Sequence, residues 1–225
     1  MITRTAQRFA TLRFMFENRR HFGDFIHAMK HDANPIWRAP GRWHDADIQR
    51  YTGMISGVVG DFAEIGVFEG ETFARLIPIA QRQRKSIHAF DSFQGMDDPS
   101  EFDWRPKGQF AVGGEDGFRK LMSKRGFERH QYSTWEGFIP ECFVKAPRDI
   151  SFSFVLLDVD NYQPTRIGLD WAWSRLNVNG VMALDDFYPN GDREASKAIK
   201  EFLRERTDFD IVDFVNFQLA LRKMG

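Results

Sequence analysis

From Gly60 onward, apolar runs of strand length alternate with longer stretches of helical periodicity. The strand candidates are 61–67, 86–90, 131–134, 153–157 and 180–184, with helical patterns at 72–84, 115–124, 165–176 and 193–206. Strand, helix and strand in one sheet make a right-handed crossover, and repeated crossovers build a parallel sheet with helices on both faces. Two last runs, 209–214 and 217–221, stand too close together for a crossover helix. The final one is therefore expected to turn back antiparallel at a sheet edge. The expected fold is a doubly wound α/β sheet of about seven strands, mostly parallel with an antiparallel edge strand.

Residues 1–50 do not share this alternation. They are rich in Phe, His and Trp, with helical spacing early and a break around Asn34-Pro35 and Pro40-Gly41. They are read as an N-terminal helical and loop cover over the mouth of a main domain at 51–225. His21, His27, His31, His44, Trp37 and Trp43 all fall in this cover, which could close over a substrate and exclude water. No histidine is assigned a catalytic role: His88 is expected in the core and His130 at the surface.

Charge and cysteine content narrow the function classes. A formal net charge of −1 leaves no global field to recruit nucleic acid or an anionic membrane surface. The single cysteine, Cys142, excludes an internal disulfide and a cysteine-rich metal centre, and is read as a packing residue. No run of apolar residues is long enough to span a bilayer and the N-terminus does not read as a secretory signal, so a cytoplasmic location is expected.

In an open parallel sheet, ligands bind beyond the carboxyl ends of the strands near the switch point of the strand order. The polar residues at those ends are Glu64 to Gly70, Asp91-Ser92, Asp158 to Tyr162, and Asp185-Asp186. A carboxylate at Asp91 is placed to accept hydrogen bonds from the hydroxyls of a ribose, which points to a nucleoside. Gly66 and Gly70 are spaced GxxxG rather than GxGxxG, and Glu64, Glu69 and Glu71 would repel a pyrophosphate. A cationic nucleoside fits better, and S-adenosylmethionine is the obvious one. Glu69 and Glu71 also complement the dipole at a helix start.

The segments EIGVFEGETF, FDSFQGM, LLDVDNYQPT and GVMALDDF resemble, in order, the motifs of the macrocin O-methyltransferase family, which methylates sugars with S-adenosylmethionine on a Rossmann-like fold. The first motif and the later carboxylates are also similar to catechol O-methyltransferase and its magnesium-dependent relatives. The resemblance implies that Gly66, Phe68 and Thr72 line the methionine end of the cofactor, that Asp91 and Ser92 hold the ribose, and that Gly137 lies near the adenine. Departures from the sugar methyltransferases include Ile65, Glu69, Val159, Gln163 and Pro164.

Asp158, Asp185 and Asp186 follow adjacent strands and are expected to converge. Converging carboxylates without cationic partners raise one another's pKa, and a hard divalent ion such as magnesium resolves that conflict. In both resembled groups these positions hold the metal. A bound cation orients the acceptor hydroxyl and eases loss of its proton. Catechol-type enzymes place a lysine base where this chain has Asn161, so the base role is carried to Asp158, as the macrocin-type family implies, with Asp160 in reserve.

The leading expectation is a magnesium-assisted O-methyltransferase acting on a small hydroxylated acceptor, a sugar or a phenol. The alternatives are a nicotinamide-dependent oxidoreductase on a similar sheet and a non-catalytic cofactor-binding module. Trp171 and Trp173, expected on opposite faces of one helix, are candidates for a homodimer surface.

Overall fold

A computed structural model describes residues 43–189, 191–215 and 217–225. His21, His27, His31, Trp37 and most of the expected cover lie outside the described residues. The described chain runs α1 (Asp45–Met54), β1 (Asp61–Ile65), α2 (Glu71–Arg82), β2 (Ile87–Asp91), α3 (Gly114–Lys124), β3 (Ser133–Glu136) and β4 (Phe152–Leu157). It continues through α4 (Tyr162–Arg175), β5 (Leu176–Leu184), α5 (Glu194–Glu205), β6 (Phe209–Val215) and β7 (Gln218–Lys223).

One sheet carries all seven strands in the order β3-β2-β1-β4-β5-β7-β6. The first five pair in parallel, while β7 runs antiparallel to both β5 and β6. The antiparallel pair at the end was expected, but the edge belongs to β6. Strand β7 inserts beside β5, where Leu219, Ala220 and Leu221 are fully buried, so the last run takes the inner place.

The central strand β4, FSFVLL, is buried at every residue because helices cover both faces. On one face α1, α2 and α3 pack Tyr51, Phe73, Leu76 and Phe118 against Phe62, Phe154 and Leu156. On the other, α4 and α5 pack Leu169, Trp173, Ile199 and Phe202 against Ile65, Val155 and Met182. Alternate residues of each strand thus feed opposite cores, as the pleat requires. Helix α1 crosses position 50 and belongs to the first of these cores.

Local details shift the expected boundaries. Strand β3 starts at Ser133 rather than 131, because residues 129–131 form a 3-10 turn closed by Gln131 Oε1, which accepts the Glu128 N–H at 2.7 Å. Both tryptophans of α4 reach apolar packing, since that helix is flanked on two sides. Trp173 is buried against Phe202, and half-buried Trp171 stacks on Phe143 at 4.0 Å. His88 and Cys142 are buried, and His130 is exposed.

Candidate functional site

The strand order reverses direction between β1 and β4, and the loops after these two strands meet there. Gly66 is the contact point. Its N–H donates to the Phe90 carbonyl (2.9 Å), and the Asp158 N–H donates to the Ile65 carbonyl (2.8 Å). Gly66 has φ +82°, and a Cβ there would stand 1.8 Å from the Asp158 carbonyl oxygen. Only glycine permits this approach.

Two cavities open at this junction and share Gly66, Phe68, Phe110, Asp158 and Asp160. The first, an open cavity of about 660 Å³, is lined by Asp91, Ser92, Met96, Gly137, Ile139 and Asn161 among others. Its lining is mostly apolar, with Asp91, Asp97, Asp158 and Asp160 as its acids, a suitable environment for a nucleoside. Asp91 Oδ2 accepts the N–H groups of Val67 (2.6 Å) and Phe68 (2.9 Å), while Oδ1 accepts that of Phe93 (2.6 Å). Burial raises the Asp91 carboxyl and these backbone donors pull it part of the way back. Asp91 therefore shapes the loop after β1 as well as facing the cavity. The Ser92 hydroxyl is spent on its own turn, donating to Gly95 O at 2.8 Å, and Gly137 lines the cavity wall.

The second cavity is acidic. Glu64, Glu69, Glu71, Asp158, Asp160, Asp185 and Asp186 line it, together with Thr72, Trp43 and two arginines, Arg75 and Arg105. Glu64 is buried, and its Oε2 has no hydrogen-bond partner. Burial drives its carboxyl well above the usual range, with Arg75 opposing and Asp91 adding to the rise. Arg75 is its nearby cation, but Oε2 itself remains without a donor, so a cationic or N–H-bearing ligand group is a chemical match. Gly70 departs from expectation. A Cβ there would strike Met122 Sδ and Phe118, so it faces the core under α3 and lines neither cavity.

The carboxylates beyond β4 and β5 gather in this cleft as expected. Burial, then the charges of Asp185, Asp160 and Asp186, raises the Asp158 carboxyl far above its ordinary value. Asp160 is pushed up to about 8, by burial and by the neighbouring Asp186, against the pull of Arg105. Asp185 rises to about 6, chiefly by burial and the Asp186 charge.

The premise that no cation stands among them does not hold. Arg105 reaches Asp160 Oδ1 at 2.7 Å and Asp186 Oδ2 at 3.2 Å, with Glu194 Oε1 at 3.9 Å. Among the described residues, no three His, Cys, Asp or Glu side chains are grouped as metal ligands. Arg105 and Arg75 escaped the sequence reading because neither sits at a strand end. Arg75, on α2, donates to the Trp43 carbonyl (2.6 Å) and to Thr72 Oγ1 (3.1 Å), and its position three residues after Thr72 was the available signal.

Comparison with known proteins bears on the fold and the family. A family model described as a methyltransferase domain matches residues 63–187, which run from β1 to just beyond β5 and contain nearly every residue of both cavities. No curated protein sequence gives a significant match. Among solved structures, the O-methyltransferase NovP is 19% identical with a TM-score of 0.66, the match covering 80% of this chain and 79% of that one. CalS11, a calicheamicin methyltransferase, is 18% identical with a TM-score of 0.63, covering 79% and 77%. TomG from Streptomyces achromogenes, an O-methyltransferase solved with S-adenosylmethionine, is 12% identical with a TM-score of 0.52, covering 78% and 80%. At these identities the likeness is one of fold. The family match spans more than half of the chain, and with that sheet and that pair of cavities the protein belongs to this methyltransferase-domain family.

Proposed function

We propose that this protein is an S-adenosylmethionine-dependent O-methyltransferase acting on a hydroxyl of a small molecule. The observation that carries the reading is the junction at Gly66, where an apolar nucleoside-sized cavity with Asp91 meets an acidic cleft holding the unpartnered Glu64. A molecule with a nucleoside at one end and positive charge at the other matches both halves. The family assignment sets aside the nicotinamide-dependent alternative.

S-adenosylmethionine supplies, when bound, an electrophilic methyl group on sulfur. The chain's own part is to place an acceptor oxygen in line with it, which is worth about 7–11 kcal/mol in favourable cases. Asp158 lines both cavities, so its carboxylate stands where the two reactants meet. We assign it as the base that takes the proton from the acceptor hydroxyl. Burial and the neighbouring acids make its ionised form a stronger proton acceptor, and it is that ionised form which takes the proton. Asp160 is the weaker candidate, since Arg105 already binds it.

The acceptor class follows from chemistry and resemblance. A sugar or phenol hydroxyl fits an open cleft lined by Trp43, Phe68 and Phe110. The macrocin-type motifs favour a sugar. A further CalS11 structure, 16% identical with a TM-score of 0.55 over 79% of this chain and 78% of that one, is of an enzyme described as a TDP-rhamnose 3'-O-methyltransferase. Magnesium was the expected ligand of Asp158, Asp185 and Asp186. The residues as arranged do not fit it, because Arg105 already pairs with Asp186 at 3.2 Å and with Asp160 at 2.7 Å. No step is routed through a metal.

Calorimetric titration with S-adenosylmethionine tests the proposal. Wild type is expected to bind, and Asp91→Ala to weaken binding by tenfold to a hundredfold, since charge-assisted hydrogen bonds contribute about 1.5–3 kcal/mol. Failure of the folded wild type to bind would remove the methyltransferase reading of the site.

A further inference from the structure

We propose that Arg105 is the resident counter-charge of the acidic cleft, taking the place of a divalent cation and holding Asp160 and Asp186 to one side of it. The inference rests on reading that cleft as the place where acceptor and cofactor meet.

The argument begins with how the arginine is delivered. The segment between β2 and α3 is a long loop closed at its base, where the Met96 N–H donates to Gln109 O (2.8 Å) and the Gly108 N–H to Met96 O (2.9 Å). Its far end is pinned across two helix starts. Asp103 Oδ1 accepts the N–H of Tyr162, the first residue of α4, at 2.7 Å. The Phe102 carbonyl accepts the N–H of Glu194, the first residue of α5, at 3.2 Å. The Phe102 ring packs on Tyr162 at 4.9 Å, with Lys197 Nζ 4.6 Å from its centroid. Arg105 leaves the loop two residues after Asp103, so these anchors set where its guanidinium lies. The Phe110 ring, 5.4 Å away, covers one face of that guanidinium.

The second part is charge. A cluster of buried carboxylates is costly unless a cation joins it. Arg105 joins Asp160, Asp186 and Glu194, three acids brought from three different segments. Its side chain is only 25% exposed, so these pairs are poorly screened. A divalent ion at Asp186 would have to displace a guanidinium that is itself fixed through the loop. Arg105 is therefore a positioning residue: it holds Asp160 and Asp186 to one side, leaving Asp158 at the junction of the cavities.

Manganese binding to the full-length protein, followed by the loss of the free-ion paramagnetic resonance signal, is the test. Wild type and Arg105→Lys, which both keep the charge, should bind Mn²⁺ weakly and alike. Arg105→Gln should bind it at least about tenfold more tightly, as expected for two cations competing for one site. Adding Asp185→Asn to that variant should reverse the gain. S-adenosylmethionine titration on the same samples keeps the two readings apart, because Arg105 lines only the acidic cleft and is absent from the cavity around Asp91, where the nucleoside is placed. An Arg105→Gln protein that binds S-adenosylmethionine like wild type and gains no Mn²⁺ affinity overturns the proposal. So does wild type whose melting temperature rises on addition of Mn²⁺, a result that does not depend on any variant folding.

Discussion

Glu64 shows how the site strains the protein that carries it. The residue lies within β1 and is buried with one oxygen lacking a partner, and burial pushes its carboxyl well above the normal range. A glutamic acid whose folded pKa exceeds its unfolded value of about 4.3 favours folding most below that pH. That contribution is lost as pH rises through about 4.3 toward the folded pKa, so the ionised form at higher pH opposes folding. Glu64→Gln is therefore expected to stabilise the ligand-free protein at pH values above that window, by about 1 kcal/mol or more, while weakening its hold on S-adenosylmethionine. Urea unfolding across pH and calorimetry check the two halves. A variant both less stable and fully binding would contradict this account. Gly66, two residues onward, belongs to the same scale: its missing Cβ is what lets two strand ends meet at the site.

At the scale of elements, the loop between β2 and α3 acts as part of α4. Asn161 precedes that helix but offers no side-chain cap, and Asp103 supplies one from 59 residues away in sequence. The same carboxylate also accepts the Ser100 N–H and hydroxyl, at 2.9 and 2.6 Å, so one side chain shapes the loop and starts the helix. Asp103→Ala should cost about 1 kcal/mol of stability, the usual effect of a lost cap. It should also expose the loop to limited proteolysis between residues 96 and 109. Unchanged cleavage would mean that the remaining anchors, Phe102 and Arg105, hold the loop alone.

At the scale of the whole molecule, the C-terminal hairpin is tied to the helical layer through Asp208. Trp173 of α4 donates to it through Nε1 at 2.9 Å, and Arg206 donates twice, at 2.9 and 2.7 Å. Lys223 of β7 in turn donates to the Trp173 and Leu176 carbonyls, both at 2.8 Å. Burial alone would raise the Asp208 carboxyl, but the Arg206 and Trp173 hydrogen bonds outweigh it and bring it down to about 2. A depressed carboxyl stabilises the fold above its unfolded pKa, about 4, and loses that effect as pH falls through its folded value. Asp208→Asn should therefore destabilise the protein by about 1–2 kcal/mol at pH 7. The gap from wild type should close between about pH 4 and about pH 2, as denaturant titration at several pH values would show.

The alternation of apolar runs was enough to read the parallel sheet, because burial on both faces leaves a signal that is local in sequence. The acids at strand ends were legible for the same reason: a parallel strand always delivers its last residues to the same rim, so Glu64, Asp91, Asp158, Asp185 and Asp186 could be listed before any contact was seen. Which of them face a cavity was equally open to reading, but what partners them was not. Gly70 turned toward Met122 and Phe118, β7 slipped inside β6, and Arg105 arrived on a loop whose course is set by Asp103 and Phe102. Each of these depends on contacts between segments far apart in the chain, where periodicity carries no information. The sequence by itself therefore determined the sheet and the acids at its rim. Only the tertiary structure decided that an arginine stands among those acids, because the charge balance of a buried cleft is a property of the segments that meet there.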